Sequence, residues 1–395
     1  MRLALLAVAA AALSLSVSAQ TIPARGAEGT FDVATWNLEF FGEPSQGPSD
    51  ATQLRNVVAV MEQAEIDLWA LQEVVDQTEW SDLLSQLQDD GYSGRLGPSV
   101  SSTPTFDQKL GFIYNTSVVQ VVGTKTILSD YDYEFGYRPP FEMQARVTVD
   151  GVARTFYVIT FHAKASTGSQ DYARRLAAAE ALKEYVDARS VLGPVILLGD
   201  FNDYLIGSTR GSMASPYDAF VQDDGYVAAT LPLQQAGLNT YCTSSTCTSG
   251  DTRDHILLTA DLGGLLLSTD RYGELLTSVP NYPFSTSDHL PVLAQFTFMP
   301  TAGEGGPEAG PVALLPAAPT PFRTATALRF RLDAPATVRL DVVDVLGRHV
   351  RTASGTYGAG EHAVPLDGHD LAPGLYVVRL DADGVVRTRT IVRAR

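Results

Sequence analysis

Residues 195–203 read VILLGDFND. Four apolar residues in succession leave no polar face, so a strand built from them is buried on both sides, as in a sheet covered above and below. The run stops abruptly at Gly199, Asp200, Asn202 and Asp203. A carboxylate at the rim of an apolar sheet is costly unless its charge is compensated. Either these groups cap the next turn or they converge on a cation. The same ending recurs in WNLE (36–39), LQEV (71–74), FHAK (161–164), RDHI (253–256) and SDHLP (287–291). Any one of them reads as turn chemistry. Six of them, mixing Asn, Glu, His and Asp, are more than turns require. Carboxylate, carboxamide and imidazole without thiolate suit magnesium, manganese or calcium. Two histidines add acid, base or electrostatic groups.

The 395 residues exceed what one core usually organises. TAGEGGPEAGP, residues 301–311, has almost nothing to bury and reads as a linker. Before it, from about residue 29 to 300, strand-like and helix-like segments mix. Residues 49–65 offer Ser49 or Asp50 as an N-cap, with Leu54, Val57, Val58 and Met61 at helical spacing. Residues 169–190 carry Tyr172, Leu176, Ala179, Leu182 and Val186 on one helical face. The mixture predicts an α/β fold of layered sheets rather than a barrel. Residues 312–395 show no helical period, only short alternating strands between turns such as DVLGR and DADG. That pattern predicts a small all-β sandwich.

Charge divides along the same line. Residues 312–395 hold eleven arginines and eight acids, whereas the preceding part holds 17 basic and 37 acidic residues. The first segment is therefore strongly acidic, which disfavours tight non-specific binding of polyanions; a nucleic-acid substrate would need divalent ions or a local basic patch. Residues 1–19 (Arg2, an apolar run, then Val17-Ser18-Ala19) read as a secretory signal peptide cleaved after Ala19. No other stretch is long and apolar enough to span a bilayer, so stable membrane insertion is not expected. The two cysteines, Cys242 and Cys247, sit in a hydroxyl-rich loop of an exported chain and predict one short disulfide.

The ordered set TWNLEFFG, LQEV, ITFHAKA, LLGDFND, RDHIL and SDHLPV resembles the endonuclease/exonuclease/phosphatase superfamily over roughly residues 30–299. That superfamily includes the DNase I-like nucleases, inositol-polyphosphate phosphatases and bacterial sphingomyelinases. The resemblance implies a four-layer α/β/β/α sandwich, two mixed sheets flanked by helices, with the site where the sheets meet. It implies Asn37 and Glu73 as a metal-binding pair, with Asp288 near the metal. Asp200 would activate or align the attacking water, with Asn202 steadying it. His162 would hydrogen-bond the scissile phosphate, with Asp107 or Gln108 as possible partners, and Asp254 would orient His289. The implied cofactor is a divalent metal, Mg2+ first, with Mn2+ or Ca2+ as alternatives. Arg138 resembles a substrate-contacting arginine of secreted nucleases, and Lys164 is placed to reach a phosphate. His255 reads as a strand histidine without a role, and Arg174 and Arg175 as a solvated helix face.

The tail, from PTPFRTATALRFRL to RTRTIVR with DVLGR and LAPGLYVVRL between, resembles the C-terminal sorting domain of the type IX secretion system. An immunoglobulin-like sandwich, a secretion-machinery partner and a secreted or cell-surface location follow from that resemblance. The leading functional expectation is a secreted metal-dependent phosphodiesterase, a nuclease acting on DNA or RNA. A phospholipid or sphingomyelin phosphodiesterase, or a phosphomonoesterase, keeps the chemistry and changes the substrate; for a lipid enzyme YGELLTSVPNYPF (272–284) is the nearest candidate membrane contact. A non-catalytic surface binding protein is the third class. Monomer is the default expectation.

Overall fold

The computed structural model describes residues 21–99, 107–298, 311–319, 322–344, 349–372, 374–383 and 385–394. The expected signal peptide, the linker up to residue 310 and most of the DVLGR turn lie outside the described residues. The chain opens with β1 (Phe31–Phe41), α1 (Asp50–Ala64), β2 (Leu68–Val74), α2 (Gln77–Leu87), β3 (Tyr92–Leu96) and β4 (Lys109–Asn115). It continues through β5 (Val119–Thr126), β6 (Phe141–Val149), β7 (Val152–His162), α3 (Ser169–Ser190), β8 (Val195–Asp200) and β9 (Tyr226–Ala228). A short hairpin, β10 (Tyr241–Cys242) and β11 (Gly250–Asp251), precedes β12 (Asp254–Thr259), β13 (Leu266–Arg271) and β14 (Val292–Phe296).

Two six-stranded sheets result, ordered β13-β14-β1-β2-β4-β3 and β5-β6-β7-β8-β12-β9. Each is mixed, because β1 pairs with β2 and β7 with β8 in parallel while the other neighbours run antiparallel. The apolar run Val195–Leu198 divides its side chains between two cores. Ile196 and Leu198 point into a core between the sheets, with Val33, Ala70, Phe112, Met143 and Ile256. Val195 and Leu197 point the other way, onto Ala178, Ala179, Leu182 and Val186 of α3. A third core, with Trp36, Trp69 and Ile113 against Val57, Met61, Trp80 and Leu83, covers the first sheet with α1 and α2. The architecture is therefore α/β/β/α. Burial of each such side chain contributes about 1.5–3 kcal/mol.

Helix α3 spans residues 169–190 as expected; α1 begins after Ser49, whose side chain makes no capping bond. Helix α2 was not anticipated. Asp76 caps it, accepting from the amides of Thr78 and Glu79.

The C-terminal region comprises β15 (Val312–Ala318), β16 (Ala325–Leu332), β17 (Ala336–Asp344), β18 (His349–Tyr357), β19 (Gly360–Asp367), β20 (Gly374–Ala382) and β21 (Val385–Arg393). Sheets β15-β16-β19 and β18-β17-β20-β21 enclose one core containing Leu314, Phe330, Leu340, Val378 and Leu380. This three-plus-four arrangement is that of an immunoglobulin-like sandwich.

Candidate active site

Register alone gathers the first three groups. His162, the last residue of β7, pairs with Asp200, the last of β8, and Asp200 pairs across with Asp254, the first of β12. Gly199 makes the junction possible, since a Cβ there would lie 2.0 Å from the Phe161 carbonyl oxygen. The facing sheet contributes by irregularity. Pairing of β1 with β2 breaks after Asn37–Gln72, and Glu39, Phe40 and Glu73 all adopt positive φ, between 46° and 62°. Non-glycine residues held there cost on the order of 1–3 kcal/mol each. The distortion turns the Glu73 carboxylate toward Asn37, which donates to it at 3.1 Å and to Asp200 Oδ2 at 3.1 Å.

His289 arrives on the segment leading into β14. Its Nδ1 lies 2.8 Å from Asp254 Oδ2, which also accepts from Thr240 Oγ1 at 2.7 Å. The histidine backbone is tightly held: Trp36 Nε1 and Tyr282 Oη donate to its carbonyl, and Ser287 Oγ accepts from its amide. The β10–β11 hairpin, closed by the Cys242–Cys247 disulfide, packs on the same segment. There the Cys242 amide donates to the Asp288 carbonyl at 2.7 Å and the Tyr241 ring lies 5.1 Å from the His289 ring.

Asp200 sits at the centre, 1% exposed. Its Oδ2 lies 3.3 Å from His162 Nε2 and 3.8 Å from His289 Nε2. Asn202, in a left-handed conformation, donates Nδ2 to that oxygen at 3.3 Å and to the Ala163 carbonyl at 3.1 Å. Burial would raise the Asp200 carboxyl, but the charge of His289, with the Asn202 amide bond and Arg253, outweighs it and holds the group below its ordinary range. Burial opposes charge on His289 too, yet Asp254 and Asp200 lift its pKa to about 10. His162 goes the other way, depressed well below the usual value by burial and by Arg138. One imidazole is thus cationic at neutral pH and the other neutral.

Beyond Asp200 the acids accumulate. Asp288 takes part through its backbone amide, bonded to Glu39 Oε2 at 2.9 Å, and its carboxylate lies 3.8 Å from His289 Nε2. Burial raises Glu39, Glu73 and Asp288, and Asp288 raises Glu39 further. Burial is the first cause in all three, as expected of carboxylates held away from water. Among the described residues Asp200, Asp254 and His289 bring their ligand atoms within 4.8 Å of one another, and Asn37, Glu39, Glu73 and Asp288 add oxygens beside them. That set fits a divalent cation of the magnesium, manganese or calcium type.

Other expected residues fall differently. Neither Asp107 nor Gln108 partners His162: Asp107 pairs with Ser99 and Lys109, Gln108 with Arg138, and His162 Nδ1 is buried without a partner among the described residues. Arg138 donates Nη2 to the Ala163 carbonyl at 3.2 Å, beside the site. Lys164 lies 3.4 Å from Asp171 and donates to the Ala165 carbonyl. His255 is a fully buried strand histidine held by Thr230 and the Thr252 carbonyl. Arg175 contradicts the solvated-face expectation. It is 0% exposed and pairs with Asp203 at 2.9 Å, because α3 lies directly on the β8 exit. Residues 272–284 form no apolar hairpin: Leu275, Val279 and Tyr282 are buried, and Phe284 is exposed.

Three contributors were missed. Glu39 stood inside the WNLE motif, and Arg253, ion-paired with Asp251 and 4.0 Å over the Tyr241 ring, inside RDHI. Gln53 of α1 carried no motif. Its amide reaches the carbonyls of Leu38, Glu39 and Thr286, tying the segments that carry Glu39 and Asp288.

A model of the endonuclease/exonuclease/phosphatase family matches residues 34–289. The chain belongs to this family. A model of the secretion system C-terminal sorting domain matches residues 318–393. The protein is accordingly a phosphoester hydrolase of the endonuclease/exonuclease/phosphatase family, with a type IX sorting domain that directs it outside the cell or to its surface. Among solved structures, an endonuclease/exonuclease/phosphatase from Beutenbergia cavernae DSM 12333 is similar with a TM-score of 0.54 at 17% identity, covering 92% of this chain and 100% of that one. One from Bacteroides vulgatus gives 0.50 at 14% identity over 68% of this chain and 99% of that one. At such identities the likeness is one of fold. No curated protein matches the sequence. Among the described residues no helix is long and apolar enough to cross a membrane.

Proposed function

We propose that this family member is a secreted, divalent-metal-dependent phosphodiesterase that cleaves nucleic acid. The reading is carried by one observation: the buried Asp200 carboxylate lies between two imidazoles, 3.3 Å from His162 Nε2 and 3.8 Å from His289 Nε2, with Asp254 2.8 Å behind His289. Titratable groups paired in this way can divide acid–base roles.

Asp200, kept ionised by His289 and oriented by Asn37 and Asn202, takes the proton of a water as its oxygen bonds to phosphorus; the opposite P–O bond breaks, and the leaving oxygen takes a proton from solvent and departs as an alcohol. His289, fixed by Asp254, holds positive charge at Nε2 to offset charge growing on the phosphoryl oxygens. His162 stays neutral and donates a hydrogen bond from Nε2. Asn37, Glu39, Glu73 and Asp288 would hold a divalent metal, which when bound neutralises the non-bridging oxygens. Arg138 and Lys164 at the rim supply positive charge that the acidic surface otherwise lacks. The domain plan supporting this reading is a catalytic unit over residues 29–300 and an export unit over 312–395.

The test is cleavage of plasmid DNA and single-stranded RNA with each divalent ion, with and without chelator, beside Asp200→Asn. We expect chelator-sensitive cleavage and a loss of about 10³-fold or more in the variant, the scale of removing a positioned catalytic group. Intact nucleic acid under every condition would refute it.

A further inference from the structure

The loop from 127 to 140 joins β5 to β6 at the end of the second sheet where β7 delivers His162. Thr126 pairs with Phe141, and Phe141 with Thr160. Phe135 anchors the loop, fully buried with its ring edge-on to Phe161 at 6.4 Å. Backbone bonds from Phe135 to Tyr131, Gly136 to Tyr133 and Tyr137 to Asp132 tighten it, and Tyr137 is held at a φ of 66°. Such a conformation persists in a non-glycine residue only where its surroundings over-determine it.

This loop exposes three tyrosines interleaved with the carboxylates of Asp130 and Asp132. Tyr131, Tyr133 and Tyr137 are 38–40% exposed. The Tyr133 and Tyr137 rings meet at 6.1 Å, edge to face. Gln170 of α3 donates to the Tyr133 hydroxyl at 2.9 Å, and the Arg174 guanidinium lies 4.1 Å over the Tyr133 ring. The residue after Tyr137 is Arg138, whose Nη2 reaches the Ala163 carbonyl next to His162. One loop thus carries the exposed rings and the arginine at the site.

We infer that this loop is a stacking platform for unpaired bases flanking the scissile phosphate, so that the centre prefers single-stranded nucleic acid over duplex. The inference rests on the nuclease reading above. The acidic catalytic region, with 17 basic against 37 acidic residues before position 312, is poorly suited to the phosphate neutralisation that anchors duplex binders. Base–aromatic stacking supplies affinity without backbone neutralisation, and only bases outside a helix offer their faces. The guanidinium over Tyr133 extends a π surface for a base and repels a cationic headgroup such as choline.

The experiment compares the full chain with Tyr133→Ala, Tyr137→Ala and the two Phe variants. Substrates are a short labelled single-stranded oligonucleotide, the same strand annealed to its complement, and bis-p-nitrophenyl phosphate, which has no base. Single strands should be cut at least about tenfold faster than duplex. The Ala variants should lower the ratio of oligonucleotide to bis-p-nitrophenyl phosphate kcat/KM by about tenfold, chiefly through KM, while the Phe variants stay within about twofold. Equal cutting of duplex, an equal fall on both substrates, or Phe variants as weak as Ala would overturn the platform while leaving the nuclease intact. Hydrolysis of bis-p-nitrophenyl phosphate with no attack on any nucleic acid would overturn the nuclease reading itself. Sphingomyelin hydrolysis that depends on the same tyrosines would assign the platform to a lipid headgroup instead.

Discussion

Replacing Arg175 by methionine removes the cation from an ion pair in which neither side chain is exposed. Asp203, also bonded to Ser208 Oγ and the Thr209 amide, is left charged and dry; breaking such a pair costs about 3–5 kcal/mol. Arg175 also donates to the carbonyls of Lys164 and Ser166, and each that remains unsatisfied adds about 1–3 kcal/mol. A loss of at least about 4 kcal/mol is therefore expected, against the roughly 5–15 kcal/mol that holds a domain together. The assay is urea unfolding followed by tryptophan emission. All three tryptophans, Trp36, Trp69 and Trp80, lie before the linker, so the signal reports this region alone. With a slope of about 3 kcal/mol per molar urea or more for a unit this large, the midpoint should fall by about 1 M. Adding Asp203→Asn should recover part of the loss, because the stranded charge goes with it. A midpoint moved by under about 0.3 M would refute the reasoning, since the pair would then be no more than a surface bridge.

Reducing the Cys242–Cys247 bridge releases a short loop, at about 2 kcal/mol of chain entropy. Because the hairpin holds Asp288 and His289, kcat/KM should fall roughly tenfold as free thiols appear; full activity with both thiols titrated would count against this. Gln53→Met removes the donor to Leu38, Glu39 and Thr286. It should cost about 2–4 kcal/mol by thermal unfolding and lower activity as well; unchanged activity would show that the clamp does not position Glu39 and Asp288. Asp67, buried beside Asp32 at the far end of β2, is raised to about 7, first by burial. The folded protein binds the extra proton between about pH 4 and 7, so stability from this group is present at low pH and lost as pH rises through 7. Asp67→Asn should flatten that slope and gain on the order of 4 kcal/mol at pH 8; a slope identical to that of the parent protein would show that another group carries it.

Much of this molecule could be read before folding it. The bidirectional burial of Val195–Leu198 was implied by four apolar residues in a row, since a strand alternates faces and both must then be covered. The polar strand ends marked Asn37, Glu73, His162, Asp200, Asp254 and His289 because charge at a sheet rim is costly without a partner. The span of α3 followed from its apolar period. Helix α2 has a legible signal too, Asp76 with Glu79 three residues on.

Other features belong to the tertiary structure alone. Arg174 and Arg175 are adjacent in sequence and alike in chemistry; only the packing of α3 on the β8 exit makes one partly exposed and the other a buried partner of Asp203. Gln53 becomes a clamp because α1 lies across two chain segments, and no local pattern encodes which carbonyls will face it. The sequence determined which elements form and which groups end them, because periodicity and turn chemistry are short-range. Which imidazole is cationic was decided by distance and burial across strands far apart in the chain, since charge responds to what surrounds a group in space.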